Sequence, residues 1–513
     1  MKAARESQFG TAPLDARRTA RALVSYAAAV AAGLVLRLWM LKKLFAVNGD
    51  TLLYGGLAKN LLLHGWYGLN GAGGEFYSSL IRLPGYPLFL AACFRLFGME
   101  NYFGVVCAQI ALELLGCVLA ALAARRVAPE PMKAAAEQGA LWLAVLCPFT
   151  ASYTTAPLPE TPSILAVGMA VWAAARFVDL PRWTNALLFT FAVTWAALLR
   201  PDGALVAVAL VPAILLLLIR PVSTNAPCPI LAPFSWRKGG KPQLHLGAAP
   251  IAGNQKIAGE KLLRMAVVCA LLASAPFAAW TWRNWELFHV FQPLAPRLAT
   301  EPDEDPHNGW ERWVKSWSLD FVTTYTVYWV VPDDVFDVSK LPARAFDSPE
   351  QYAETVALAR DYNANGYELT PQLDARFEKL AEQRIAAHPL RYYVWLPLGR
   401  LADMWLRPRV EDLPIDLEWW KYSKHKAETR FAWEYAGLNA LYLVLGLAGL
   451  IVRPKFWLAM LAYMVMRSAL LLTVEAPEAR YTLECFPMLF VLGGVAIGAY
   501  WEKLARGLRV HVE

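Results

Sequence analysis

Asp50 and Tyr54 are spaced i, i+4 in GDTLLYGGLAKN, just beyond an apolar run long enough to cross a bilayer. A carboxylate placed there can take the proton from an attacking hydroxyl, a role that typically contributes about 10²–10⁴-fold in rate. Further groups suited to such a site recur along the chain. Arg82 and Tyr86 stand in IRLPGYP, Glu160 in LPETPS, Arg283, Asn284 and His289 in WTWRNWELFH, and Arg480 and Tyr481 in EAPEARYTLE. Guanidinium groups suit a phosphate because their N–H donors match its oxygens and oppose its charge. Ionisable groups near apolar depth are costly, so their accumulation on one face points to a polar cavity.

Each group also has a plainer reading. Asp50 follows Gly49 and precedes Leu53, Leu57 and Leu61, so taken alone it reads first as the N-cap of an interfacial helix. Arg283 and Arg480 can snorkel to headgroups from the ends of their helices. Glu160, between prolines, suits the positive end of a helix dipole. His289 alone reads as structural, and Trp280, Trp282 and Trp285 fit an aromatic interface belt. The expectation of a site rests on the joint order of these groups.

The elements that must carry them follow from composition. The 513 residues are 57% apolar and only 18% charged, with 21 tryptophans. A soluble chain carries nearer about a quarter charged residues. Seven cysteines are scattered singly with no CxxC pair, which reads as small apolar fillers and not as a disulfide or zinc framework. Apolar runs able to span occur at 22–41, 101–124, 138–156, 160–178, 184–199, 203–219, 264–284, 434–452, 456–474 and 482–501. The expected fold class is an all-α polytopic membrane protein with about 10–12 transmembrane helices. Interfacial helices are expected in the first outer loop, together with a small, mostly helical extracytoplasmic segment.

Basic residues orient the spans. The stretch 220–264 carries seven bases against Glu260, whereas 289–391 carries seventeen acids against ten bases. The signs alternate correctly only if 84–97 stays on the outer surface. With Pro84 and Pro87 at its start, it is also too short to cross. The same parity makes 392–406 an interfacial or re-entrant helix. The resulting organisation is a cytoplasmic N-terminus (1–21) and an N-terminal membrane module (22–284). That module contains a catalytic outer loop at 42–100 and a basic cytoplasmic linker at 220–263. An extracytoplasmic segment (285–433), C-terminal membrane helices (434–501) and a cytoplasmic tail (502–513) follow. Arg37, Trp39 and the Lys42–Lys43 pair stand where a signal peptide would end in small residues, so the first span is read as retained.

GDTLLYGGLAKNLLLHGWYG followed by RLPGYPLFLAACFRLFGMENYFGVVCAQ resembles the opening of GT-C membrane glycosyltransferases. The closer likeness is to the branch holding protein O-mannosyltransferases, aminoarabinose transferases and RgtA/B/C/D-like enzymes. LPETPSILA, WTWRNWELFH and the late Arg480–Tyr481 pair continue the pattern, while 221–262 and much of 300–390 are unmatched. The resemblance implies a polyprenyl-phosphate sugar as donor and transfer on the extracytoplasmic face, with Asp50 as catalytic base or acceptor-positioning carboxylate. Glu160 is the second catalytic candidate. Arg82, Arg283 and Arg480 are the candidates for donor phosphate, and Tyr54, Tyr86, Asn284, His289 and Tyr481 for substrate. In the aminoarabinose subset a Glu before Lys-Pro-Pro helps hold a metal. The matching stretch here is Ile81–Arg82–Leu83–Pro84, which argues against an obligatory metal, so no cofactor is expected and a divalent ion is the open alternative.

A phosphate-linked sugar carries its own good leaving group, so the carboxyl pair of glycoside hydrolysis is not required. A single displacement inverts the anomeric centre. The expected partners are the lipid donor, a glycan, lipid or protein acceptor, and membrane lipids, with no nucleic acid. The expected location is the bacterial inner membrane with the site facing the periplasm or exterior. No G-x-x-x-x-G-K-[ST] stretch is present. The rival readings are a multi-span transporter, which predicts matched halves with mid-membrane charges, and a lipid-linked oligosaccharide polymerase or ligase.

Overall fold

The computed structural model describes residues 12–47, 49–71, 73–219, 252–297, 299–302, 304–421, 424 and 426–510. The chain opens with α1 (Ala12–Leu44) and α2 (Asp50–His64), then an antiparallel hairpin of β1 (Gly68–Asn70) and β2 (Phe76–Ser78) with Leu69 opposite Tyr77. Next come α3 (Gly85–Phe97), α4 (Tyr102–Val127), α5 (Lys133–Val145), α6 (Pro148–Tyr153), α7 (Glu160–Asp179), α8 (Trp183–Leu199), α9 (Leu205–Ile219) and α10 (Ala252–Phe288). A polar segment holds α11 (Asn308–Lys315), α12 (Phe321–Thr323), α13 (Pro349–Ala364), α14 (Pro371–Ala387) and α15 (Leu396–Leu406). The chain closes with α16 (Lys426–Val452), α17 (Trp457–Leu471) and α18 (Phe486–Val510).

Among the described residues, seven helical stretches are long and apolar enough to cross a membrane, and α3, α8 and α17 are shorter apolar helices. The protein is an all-α integral membrane protein. Helix α1 starts at Ala12, earlier than the expected 22, and α18 runs to Val510, through most of the expected tail. The basic linker expected over 220–263 lies outside the described residues as far as 251, and from Ala252 the chain is already α10. Residues 1–11 and 511–513 of the expected termini also lie outside them.

The apolar run 138–156 is not one helix. It breaks between Val145 and Pro148, a residue that cannot donate to the preceding turn. Backbone groups freed inside an apolar bundle need partners. Arg37, fully buried, donates to the Val145 carbonyl at 2.7 Å and pairs with Glu113, which accepts from Thr150 at 2.9 Å. Tyr442 donates to the Leu143 carbonyl at 2.8 Å. A guanidinium within the first span is therefore structural: it supports the break that turns the chain toward Glu160.

Ion pairs define the two ends of the bundle. At one end Arg126 and Lys455 both pair with Asp179 (3.3 and 3.1 Å), joining the turns after α4, α7 and α16. At the other end lie the starts of α2, α7 and α9 and the polar segment. Helix α3 joins α2 to α4 at this second end and does not cross. Gly85 packs so closely on the end of α8 that a Cβ would lie 2.5 Å from the Leu198 carbonyl. Helix α15 stays there too, because buried Arg400 donates to the carbonyls of Lys315 (3.1 Å) and Ser318 (2.9 Å).

The polar segment has its own core. Trp310, Trp313 and Trp317 are each 1% exposed and pack with Phe336 and Phe377. Ser348 and Thr370 cap α13 and α14, each followed by Pro at the first helical position, a pairing that fixes where both helices start.

Candidate active site

Asp50 is the first residue of α2. Gly49, at φ 48°, occupies the N-cap position, and the helix has no side-chain cap. The N-cap reading of Asp50 is therefore replaced. Its Oδ1 accepts from Arg82 at 3.0 Å, and its Oδ2 lies 3.6 Å from Arg480. Burial works against the charged form, but Arg82 and Arg480 outweigh it and hold the carboxyl below the usual carboxylate range.

Arg82 follows the β-hairpin and lies over the Tyr54 ring, 5.7 Å from its centroid. Tyr54, one turn after Asp50, packs edge-on against Tyr86 at 5.1 Å. Tyr86 donates to Gln109 at 2.8 Å, and Gln109 donates to the Ala156 carbonyl at 2.7 Å. That chain of contacts connects the Asp50 helix to the loop that precedes Glu160. Tyr86 is thus a support behind the site and does not line it.

Glu160 begins α7 and is 1% exposed. Its Oε1 lies 3.1 Å from Arg200 and 3.7 Å from Arg480, while its buried Oε2 has no hydrogen-bond partner among the described residues. Arg200 caps α8 in an extended conformation, and Pro201 after it ends the helix. The short 3-10 helix Ala479–Cys485 supplies the opposite wall. Its three-residue repeat puts Tyr481 and Glu484 on one face, toward Arg200. The Tyr481 ring lies 5.5 Å from that guanidinium and Glu484 lies 3.3 Å from it. Arg467 pairs with Asp202 and Glu484, each at 2.7 Å. Arg480 also pairs with Glu478, which accepts from the Tyr481 hydroxyl.

These groups surround one cavity of about 670 Å³. Of the residues expected from sequence, Asp50, Tyr54, Arg82, Glu160, Arg480 and Tyr481 line it. Arg283, Asn284 and His289 do not. Arg283 donates to the carbonyls of Ser79 (2.9 Å) and Tyr67 and is packed among the rings of Tyr67, Trp280 and Phe288. Asn284 accepts from Arg283 and donates to the Gln292 carbonyl at 2.8 Å. His289 is exposed at the end of α10 with φ 56°. Arg283, with Asn284 as its acceptor, braces the strand-to-α3 connection that presents Arg82. Trp280 belongs to that brace at 5% exposure, while Trp282 and Trp285 remain exposed.

Arg200, Asp202 and Arg467 join the charged network of the site without having been singled out from sequence, whereas Glu478 and Glu484 belong to the polar EAPEARYTLE stretch. Arg467 carried a signal, a lone guanidinium within an apolar span. Arg200 also carried one, a charge between an apolar run and a proline. The arrangement can fix an oxyanion between Arg82 and Arg480 while keeping Asp50 ionised beside it.

The sequence family described as dolichyl-phosphate-mannose-protein mannosyltransferase matches residues 82–232. The stretch carries Arg82, Glu160 and Arg200. Two solved structures are similar to this chain. The crystal structure of ArnT from Cupriavidus metallidurans bound to undecaprenyl phosphate is 14% identical, with 92% of this chain and 77% of that chain covered and a TM-score of 0.38. The apo structure of the same protein is 13% identical, with 94% and 78% covered and a TM-score of 0.35. Among curated proteins, none matches the chain. The likeness to that sequence family is confined to residues 82–232, the stretch from Arg82 through α9.

Proposed function

We propose that the protein is an inverting glycosyltransferase that moves a sugar from a polyprenyl-phosphate donor to an acceptor hydroxyl or amine at the extracytoplasmic face of the inner membrane. The observation that carries this reading is Asp50 lying within reach of both Arg82 and Arg480 on the wall of one cavity. The phosphate of the donor competes with Asp50 for those guanidinium groups. Once it takes them, the carboxylate loses the partners that hold its proton affinity down and becomes a better base. The acceptor oxygen or nitrogen attacks the anomeric carbon, the bond to the phosphate oxygen breaks, and its electron pair leaves with the phosphate. The acceptor proton passes to Asp50. Arg82 and Arg480 stabilise the charge that grows on the leaving phosphate.

Glu160 offers its unpartnered Oε2 to an acceptor or sugar hydroxyl, and Tyr481 supplies a ring face beside it. The basic stretch 220–264 and the acidic stretch 289–391 support the outward orientation of the site. A charged lipid made inside and flipped across would supply the outside with an activated sugar.

Mass spectrometry of lipid co-purifying with the protein tests the class. A polyprenyl-phosphate sugar in the extract is expected. Bulk phospholipid alone, together with uptake of a labelled solute by proteoliposomes, would overturn the reading in favour of a transporter.

A further inference from the structure

The cavity has a second wall of a different kind. Between Phe321 and Trp329 the chain makes one turn of π-helix over Thr324–Tyr328, which brings the backbone N–H of Trp329 to the Thr324 carbonyl at 3.0 Å. Such wide turns recur at functional positions because they displace one side chain from the regular helical face. Here Tyr328, the last residue of that turn, and Trp329, the next, line the cavity.

Both are held in place from behind. Tyr328 donates to Glu311, whose carboxylate oxygens lie 2.9 and 3.0 Å away. Thr324 donates to the Pro477 carbonyl at 3.2 Å, which fixes the turn to the loop that carries Glu475, Glu478 and Arg480. The Trp329 ring packs edge-on against buried Phe321 at 5.7 Å, and Phe321 in turn lies beneath Arg407. Trp329 nevertheless remains 47% exposed. A lipid-belt tryptophan has no need to border a charged cavity. This one shares its cavity with Arg297 and Glu475, a pair on the rim.

We propose that Trp329 is the stacking platform for a saccharide acceptor, so that this enzyme extends or decorates a glycan rather than a polypeptide. The inference rests on the glycosyltransferase reading and names the acceptor class for the same cavity. A sugar ring has an apolar C–H face that an indole covers and a hydroxyl edge that carboxylates and guanidinium groups bind. The cavity supplies these two surfaces on different elements, the indole from the polar segment and the charges from the bundle. A peptide acceptor is recognised through its backbone, by strand pairing or a long groove. The described cavity wall contains no strand.

The test uses the full chain in nanodiscs and saturation-transfer NMR with a panel of methyl hexosides and a Ser/Thr-containing peptide. At least one glycoside is expected to bind, and Trp329→Ala should weaken it roughly tenfold. Trp329→Phe should restore most of the binding. Tyr352→Ala, which removes an exposed ring of the polar segment away from Trp329 and outside the cavity wall, should leave it unchanged. Glycoside binding should also survive saturation with undecaprenyl phosphate, because the phosphate belongs on the opposite wall. Displacement of the glycoside by that lipid, indifference to Trp329→Ala, or Trp329-dependent binding of the peptide in its place would each overturn the proposal. Failure of undecaprenyl phosphate to bind at all would count against the glycosyltransferase reading, a separate result.

Discussion

Asp50 at the start of α2 and Arg480 in the turn before α18 lie 3.6 Å apart, and the same guanidinium lies 3.7 Å from Glu160. One arginine thus spans two carboxylates carried by different parts of the chain. Four arginines and five carboxylates (Asp50, Arg82, Glu160, Arg200, Asp202, Arg467, Glu478, Arg480 and Glu484) form one ion-pair network at the cavity, with Arg467 and Glu484 behind its lining, so an incoming phosphate must exchange with carboxylates already in place.

Glu160→Gln removes one of those competitors. The variant is expected to bind undecaprenyl phosphate more tightly than the parent, because Arg200 and Arg480 lose a charged partner. Sugar transfer should fall at the same time, since the amide offers a poorer acceptor at the former Oε2. A lipid-binding titration set beside a transfer assay separates the two effects. Weaker phosphate binding would remove the competition from the account.

Arg82 and Arg283 are predicted to behave differently despite their common sequence-level assignment. Arg82→Ala should lower donor affinity about tenfold or more, the scale of a lost charge-assisted hydrogen bond. Arg283→Ala should leave donor affinity near parental and lower the melting temperature instead, because its guanidinium holds the Ser79 and Tyr67 carbonyls. Thermal unfolding and donor titration of both purified variants check the contrast.

Arg467 is 1% exposed and serves two acids, Asp202 and Glu484. Arg467→Ala leaves both acids with Arg200 as their remaining cation, at 3.6 and 3.3 Å, and the loss of one partner from this buried network is expected to cost about 3 kcal/mol. The exposed pair Arg430–Glu434 provides the control, and Arg430→Ala should change stability by about 0.5 kcal/mol or less. Unfolding in detergent by denaturant measures both.

Glu311, behind Tyr328, gives a pH dependence of known sign. Burial pushes its carboxyl up to about 7, with the Tyr328 hydroxyl opposing the shift and nearby Glu475 adding to it. The fold therefore keeps a proton that the unfolded chain releases near its ordinary value. Stability falls as pH rises from roughly 4.5 toward 7 and then levels. The melting temperature of the parent should decline across that window, and Glu311→Gln should flatten the decline.

The membrane class, the non-crossing α3 and the cavity residues from Asp50 to Tyr481 were legible because each leaves a local trace. Apolar length gives the spans, a proline-flanked short run gives α3, and charges at span ends give the wall. Arg283 could not be separated from Arg480 this way. Both stand at the end of an apolar run, and only tertiary packing decides whether a guanidinium meets backbone carbonyls or open space. The break at Val145–Pro148 was hidden by uninterrupted apolar composition, and its stabiliser, Arg37, comes from another helix. The π-turn at Thr324–Tyr328 has no sequence signature at all, so the aromatic wall emerged only from the fold.

The account depends most on Asp50 being the base beside the donor phosphate. Purified Asp50→Asn should bind undecaprenyl phosphate at least as tightly as the parent, since Arg82 and Arg480 are released, while transfer of labelled sugar falls by about 100-fold or more. Near-parental transfer by a folded Asp50→Asn protein would contradict it.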